Sequence, residues 1–142
     1  MSAYRIQRPE TAFSLDPSRK NRGGRREERD HLSFIRKLPC VICGKRMGVE
    51  AAHLRMASPV HGKGVTGMGT KPSDCWTTPL CAEHHRTDAD SQHNGSEADF
   101  WDRHGIDPFA LATSLYAQSG NEEAAELIIQ AAKVKAKARV SA

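Results

Sequence analysis

The chain has 142 residues, 38% of them hydrophobic, and a net charge of +4 at neutral pH. This length fits one domain with tails, and a small core of this kind usually gains stability from a metal or disulfide cross-link. No run approaches the roughly 20 apolar residues of a membrane span, and we see no secretory signal. We therefore expect no membrane partner and a reducing cytoplasm, where cysteines favour metal binding over disulfides.

The first 26 residues are polar and end in a basic run that comprises Arg19, Lys20, Arg22, Arg25 and Arg26. Such a segment predicts a disordered basic tail over 1–26. A solvated tail and an arm that contacts phosphates are both compatible with this composition, because such arms often order only on binding.

The next part of the chain predicts a helix, two strands and a second helix. Leu32, Phe34 and Ile35 give the first helix its apolar stripe, and Pro39 ends it. A glycine-rich loop over 57–73 separates the two strands. The first helix is expected at about 27–37 and the two strands at about 49–54 and 76–80. The second helix is expected to begin near Ala82.

Three capping signals predict helices in the C-terminal part of the chain. Ser96 caps a helix over about 97–104, in which Phe100 and Trp101 are core residues. Asp107-Pro108 begins a helix that runs to about 118, and Asn121 begins the last one. The expected fold class is α+β, with a domain over 27–118 and a C-terminal helix and tail over 119–142.

Four residues have the spacing of a zinc site. Cys40 and Cys43 form a Cys-x2-Cys pair, and Cys81 and His84 repeat that spacing after an insertion long enough for a hairpin. Zinc binds four such ligands as a tetrahedron, and a closed set of four is structural. A redox pair or plain buried thiols are the alternatives. Cys75 lies outside both pairs and is interpreted as a small apolar side chain.

Seven histidines are many for this length. If a zinc ion holds the hairpin against the following helix, His53, His85 and His93 are expected to converge in one pocket. His93 follows His85 by eight residues, about two turns if the helix continues. We interpret His31, His61 and His104 as surface residues.

The order of these motifs resembles the HNH endonuclease superfamily. The resemblance rests on Cys-x2-Cys, Ala52-His53-Leu54-Arg55, the glycine-rich loop with Lys71-Pro72-Ser73-Asp74, and Pro79-Leu80-Cys81-x2-His84-His85. It covers roughly 30–118, and more narrowly the chain resembles small nucleases of phages and prophages, including the recombination-enhancement type. It implies a zinc-stapled ββα-metal core with flanking helices, a DNA substrate and a host recombination protein as a candidate partner.

The resemblance also implies a role for each site residue. His53 takes the place of the general base, while His85 and His93 would bind a catalytic Mg²⁺ or Mn²⁺ ion. Asp74 is nearest to the position of the central Asn, which supports the hairpin loop through hydrogen bonds. Many relatives carry an acidic ligand directly before the base, where this chain has Ala52, so that His93, Asp74 or water would fill the gap.

Basic residues flank this predicted site. Arg55, Lys63 and Lys71 are expected to hold DNA phosphates, although a solvated basic loop explains them almost as well. A non-catalytic, zinc-stabilised module for DNA binding or for adaptor functions is the main alternative to a nuclease, and a redox or zinc-sensing protein is a weaker one. The sequence leaves the oligomeric state open.

Overall fold

The computed structural model describes residues 27–66 and 71–141. This part of the chain combines a two-stranded antiparallel sheet with four α-helices, so the mixed α and β composition is confirmed. The predicted tail over 1–26 lies outside the described residues. The elements in chain order are α1 (Arg29–Arg36), β1 (Val49–His53), a 3-10 turn (Pro59–His61), β2 (Thr77–Cys81), a π-helical turn (Glu83–Thr87), α2 (Glu97–His104), α3 (Pro108–Ala117) and α4 (Glu122–Val140).

The register of the hairpin separates its two ends. Val49 pairs with Cys81 at one end, and His53 pairs with Thr77 at the other. Four residue steps of an antiparallel strand span about 13 Å. The hairpin therefore carries the cysteine that was predicted to bind zinc at one end and the predicted general base at the other.

A single apolar core connects the helices to the sheet. Phe100 and Trp101 are its largest members, at 0% and 1% exposure, as predicted. Leu80 of β2 belongs to the same cluster, and so do Ala125 and Ile129 of α4. The C-terminal helix thus packs on the core that supports the hairpin.

The predicted helix starts are confirmed by their caps. The hydroxyl of Ser96 accepts a hydrogen bond from the Asp99 amide at 3.2 Å, and the Asn121 side chain accepts one from the Ala124 amide at 3.1 Å. Asp107 accepts two backbone amides at the start of α3. These side chains satisfy amides that the first turn of a helix leaves unpaired.

The helix predicted to begin near Ala82 is only a short turn. Its π-type hydrogen bond, from the Asp88 amide to the Glu83 carbonyl, measures 3.1 Å, and the turn ends at Thr87. The helix therefore does not continue from His85 to His93, and the spacing of two helical turns does not apply.

The predicted surface position of His31 is also wrong. This side chain is only 3% exposed, its Nδ1 lies 2.8 Å from the Ser119 hydroxyl, and its ring packs edge-on against Tyr116. The partner residues come from the end of α3 and the turn that follows it, so a short-range pattern around His31 could not reveal them. Within the described ranges, no helix has the length and apolarity that crossing a membrane requires.

Candidate functional site

The predicted zinc ligands come together at the Cys81 end of the hairpin. One ligand atom from each of Cys40, Cys43, Cys81 and His84 lies within 4.8 Å of all the others. The loop that follows α1 supplies the first two, the end of β2 supplies Cys81, and the π-helical turn supplies His84. Gly44 has φ +78 and closes the turn through a 2.8 Å hydrogen bond from its amide to the Cys40 carbonyl.

The distances within this cluster suit a tetrahedral ion. Two thiolates bound to one zinc at about 2.3 Å are about 3.8 Å apart, and the sulfurs of Cys43 and Cys81 are 3.8 Å apart. The His84 Nδ1 lies 3.1 Å from the Cys81 sulfur and 3.8 Å from the Cys40 sulfur. The donor set and spacing therefore fit a metal ion such as zinc.

The environment of Cys81 is consistent with a metal replacing its proton. Burial raises the pKa of the Cys81 thiol to about 12. A cysteine must lose its proton to bind zinc, so the ion supplies the positive charge that makes a buried thiolate acceptable. Cys75 is half-buried and lies outside the cluster, as predicted.

At the opposite end of the hairpin, His53 and Asp74 form a hydrogen-bonded pair. The His53 Nε2 lies 2.9 Å from Asp74 Oδ1, and the two side chains are 20% and 2% exposed. The second carboxylate oxygen of Asp74 accepts the Glu28 amide at 2.8 Å. Because its position is fixed from both sides, the carboxylate holds the His53 ring in one orientation, with Nε2 facing Asp74.

A second pair consists of His85 and His93. Their Nε2 atoms are 3.0 Å apart, and their ring centroids are 4.6 Å apart. The chain turns back after Thr87, so that the His93 amide donates to the His85 carbonyl at 3.1 Å. Burial of its ring, followed by the proximity of His85 and Arg55, lowers the pKa of His93 below the ordinary 6.5. A neutral imidazole has a lone pair that can bind a metal ion.

Glu50 is a third residue beside this second pair, and the sequence did not predict its role. Its carboxylate accepts a hydrogen bond from His85 Nδ1 and forms an ion pair with Arg86. The Arg86 guanidinium, and to a smaller extent His85, hold the pKa of Glu50 below its ordinary 4.5. The sequence did contain one signal for this role. Glu50 is a carboxylate in a strand that is otherwise apolar up to its last residue, His53.

The two pairs are connected by Gln92 but do not merge into one cluster. The Gln92 side-chain amide donates to the His53 carbonyl at 3.3 Å, and its backbone amide donates to the His84 carbonyl at 2.9 Å. Among residues 27–66 and 71–141, only the Cys/His cluster brings three or more ligating groups within 4.8 Å of one another. The structure therefore places His53 in one pair with Asp74 and His85 in another pair with His93, and ligand atoms of the three histidines do not all lie within 4.8 Å of one another.

The three predicted phosphate contacts differ in their surroundings. Arg55 and Lys71 are exposed. Lys63 is only 6% exposed, and its ammonium donates to the Met56 carbonyl at 2.7 Å and to the Gly64 carbonyl at 3.2 Å. These bonds stabilise the loop from within and leave little of the Lys63 side chain at the surface.

The described residues thus define a small α and β chain with one candidate metal centre, a His53–Asp74 pair and a His85–His93 pair. Residues 7–118 match the family model described as "Protein of unknown function (DUF968)", and the chain belongs to this family. No curated protein and no solved structure matches the chain.

Proposed function

We propose that this protein is a metal-dependent endonuclease of the HNH type that hydrolyses DNA phosphodiester bonds. The hairpin and the π-helical turn would form the ββα core, stapled by zinc at Cys40, Cys43, Cys81 and His84. The observation that carries the proposal is the pairing of His85 with His93, because it adds a second candidate cation site beside a histidine that is oriented like a general base.

His53 acts as the base in this proposal. Its ring is held by Asp74 through Nε2, and the imidazole would accept a proton from the attacking water. The carboxylate stabilises the imidazolium that forms and keeps the ring in its tautomer. Asp74 therefore acts through His53 as a positioning residue.

His85 and His93 would hold the divalent cation. Two nitrogens bound at right angles to one ion at about 2.1 Å are about 3.0 Å apart, and these nitrogens are 3.0 Å apart. Such an ion supplies positive charge to the phosphate and to the leaving oxygen. Imidazole donors suit transition metals better than Mg²⁺. Water and phosphate oxygens would therefore complete the shell of the proposed Mg²⁺ or Mn²⁺, and Co²⁺ and Ni²⁺ belong in the same test.

The DNA would lie across the exposed basic residues near these pairs. Arg55 is close enough to His93 to affect its pKa, and Lys71 precedes Asp74 by three residues. The net charge of +4 favours a polyanion. We further propose, from the sequence resemblance, a role in processing or recombination of phage or prophage DNA, with a host recombination protein as partner.

The test is a cleavage assay with purified, zinc-loaded protein on single-stranded, duplex and branched DNA in the presence of Mg²⁺, Mn²⁺, Co²⁺ or Ni²⁺. We expect cleavage by the native protein and its loss in His53→Ala, with zinc content and circular dichroism unchanged. His61→Ala is the matched control, since this half-buried imidazole bonds to the Ser58 hydroxyl and stacks on Phe109. Equal cleavage by His53→Ala and native protein would refute the assignment of the base.

A zinc-stabilised DNA-binding module is the second candidate. Ala52 favours it, because a residue without a donor atom stands where many HNH relatives have an acidic ligand. This function predicts salt-sensitive DNA binding and no cleavage with any of the four ions.

A further inference from the structure

We propose that Glu50 is a positioning residue that fixes His85 as a cation ligand, and that Arg86 holds Glu50 in place. This inference rests on the part of the proposed function in which His85 and His93 bind a divalent ion. It adds two residues to that site, one from β1 and one from the π-helical turn.

The hydrogen bond from His85 to Glu50 determines which ring nitrogen is available. Nδ1 is the nitrogen that faces the Glu50 carboxylate, so it carries the proton and donates it. The lone pair of the neutral ring then lies on Nε2, the atom that faces His93 at 3.0 Å. Histidines that bind metals usually donate their other ring nitrogen to a carboxylate or carbonyl in this way.

Arg86 limits the freedom of the Glu50 carboxylate. Its Nε donates to Oε1 at 3.0 Å and its Nη2 to the same oxygen at 2.9 Å, while Nε also lies 3.1 Å from Oε2. Oε2 is the oxygen that accepts from His85. The two oxygens are therefore held by neighbouring residues of one turn, and a rotation of the carboxylate would break contacts with both.

An ordinary surface ion pair explains part of this geometry. The Arg86 and Glu50 side chains are 58% and 29% exposed, and an exposed pair contributes little to stability. A purely structural pair would therefore leave both the tautomer of His85 and the cation affinity unchanged when Glu50 is replaced. Positioning predicts that both change while the fold does not.

The experiment uses the full, zinc-loaded chain and measures Mn²⁺ affinity by electron paramagnetic resonance of the free ion. We expect roughly tenfold to hundredfold weaker binding for Glu50→Ala, the range seen when a partner of a metal-binding histidine is removed. Glu50→Gln should fall between Glu50→Ala and native protein, since its amide oxygen still accepts from Nδ1. Glu126→Gln is the matched control, because Glu126 also pairs with an arginine, Arg46, but belongs to α4.

A second measurement is independent of any cation at this site. In ¹⁵N-labelled protein without Mn²⁺, the histidine spectra should show His85 protonated on Nδ1 in the native chain and should show this preference lost in Glu50→Ala. Native protein with the Nε2-protonated tautomer would overturn the inference, and so would native-like Mn²⁺ affinity in Glu50→Ala.

The cleavage assay separates this inference from the proposed function. If native protein binds Mn²⁺ and Glu50→Ala binds it weakly but neither cuts DNA, the positioning role stands and the nuclease proposal fails. If both proteins bind Mn²⁺ equally and cut DNA equally, the nuclease proposal stands and the positioning role fails.

Discussion

Replacing Cys81 with serine tests the candidate metal centre at one end of the hairpin. Cys81 is 1% exposed and ends β2, and the neighbouring Cys40 is 0% exposed. The Val41 amide, between Cys40 and Cys43, donates to the Pro79 carbonyl at 3.0 Å. Loss of the ion would therefore disturb the contact between the cysteine loop and β2 inside the core.

The size of the effect follows from two energies of different origin. A structural zinc site contributes about 10–16 kcal/mol of apparent free energy in zinc-finger peptides, whereas a whole domain is stable by about 5–15 kcal/mol. Loss of even part of the zinc-binding free energy is therefore comparable with the total stability of a domain. A loss of 3 kcal/mol alone lowers Tm by roughly 10 °C for a domain of this size.

The assay combines metal analysis with thermal unfolding followed by circular dichroism. We expect one zinc per native chain, less than stoichiometric zinc in Cys81→Ser, and a Tm at least about 10 °C lower in the variant. Cys75→Ser is the control, because Cys75 is a half-buried thiol outside the cluster. The reasoning fails if Cys81→Ser retains its zinc and melts with native protein, or if a chelator leaves the native Tm unchanged.

Three further predictions concern other parts of the chain. Asp74→Asn should slow cleavage roughly 100-fold or more. Combining it with His53→Ala should give no further loss, since the effects of residues that act as a unit are not additive. Fully additive effects on single-turnover cleavage rates would contradict this prediction. Burial lowers the pKa of His31 below 6.5, against the opposing effects of Glu28 and then Asp74, so the unfolded chain binds more protons. Stability should therefore fall as pH drops below about 6.5, by at most about 1.4 kcal/mol per pH unit for one proton. In urea unfolding across this range His31→Gln should show a shallower slope, and an unchanged slope would exclude His31 as the cause. Ser96→Ala should destabilise by about 1 kcal/mol, whereas an unchanged urea midpoint would show that the cap contributes nothing measurable.

The sequence predicts those features that are decided within a few residues. Ser96, Asp107 and Asn121 each cap a helix because a side-chain oxygen reaches amides two or three positions ahead. The spacing of Cys40 and Cys43 suits a shared ligand site for the same reason, with Gly44 allowing the turn. Short-range geometry of this kind can be read from residue types alone.

Contacts between distant segments could not be predicted in this way. Glu50 and His85 are 35 positions apart, and only the register of the hairpin brings β1 beside the π-helical turn. His93 does lie next to His85 as expected, but a reverse turn places it there instead of a continuing helix. The sequence shows Lys63 only as a basic residue of a loop, and the carbonyl groups that its ammonium contacts are known only from the structure.

The adjacency of His84 and His85 affects how metal-removal experiments should be designed. His84 of the cysteine cluster and His85, which faces His93, are consecutive residues, so removal of a zinc ion from the cluster would also loosen the backbone that positions the His85 ring. We therefore expect a chelator that removes zinc from the cluster to disturb the proposed second cation site as well. Magnesium or manganese added alone to apoprotein should therefore restore neither site. Zinc followed by magnesium or manganese should restore both the cysteine cluster and the His85–His93 site.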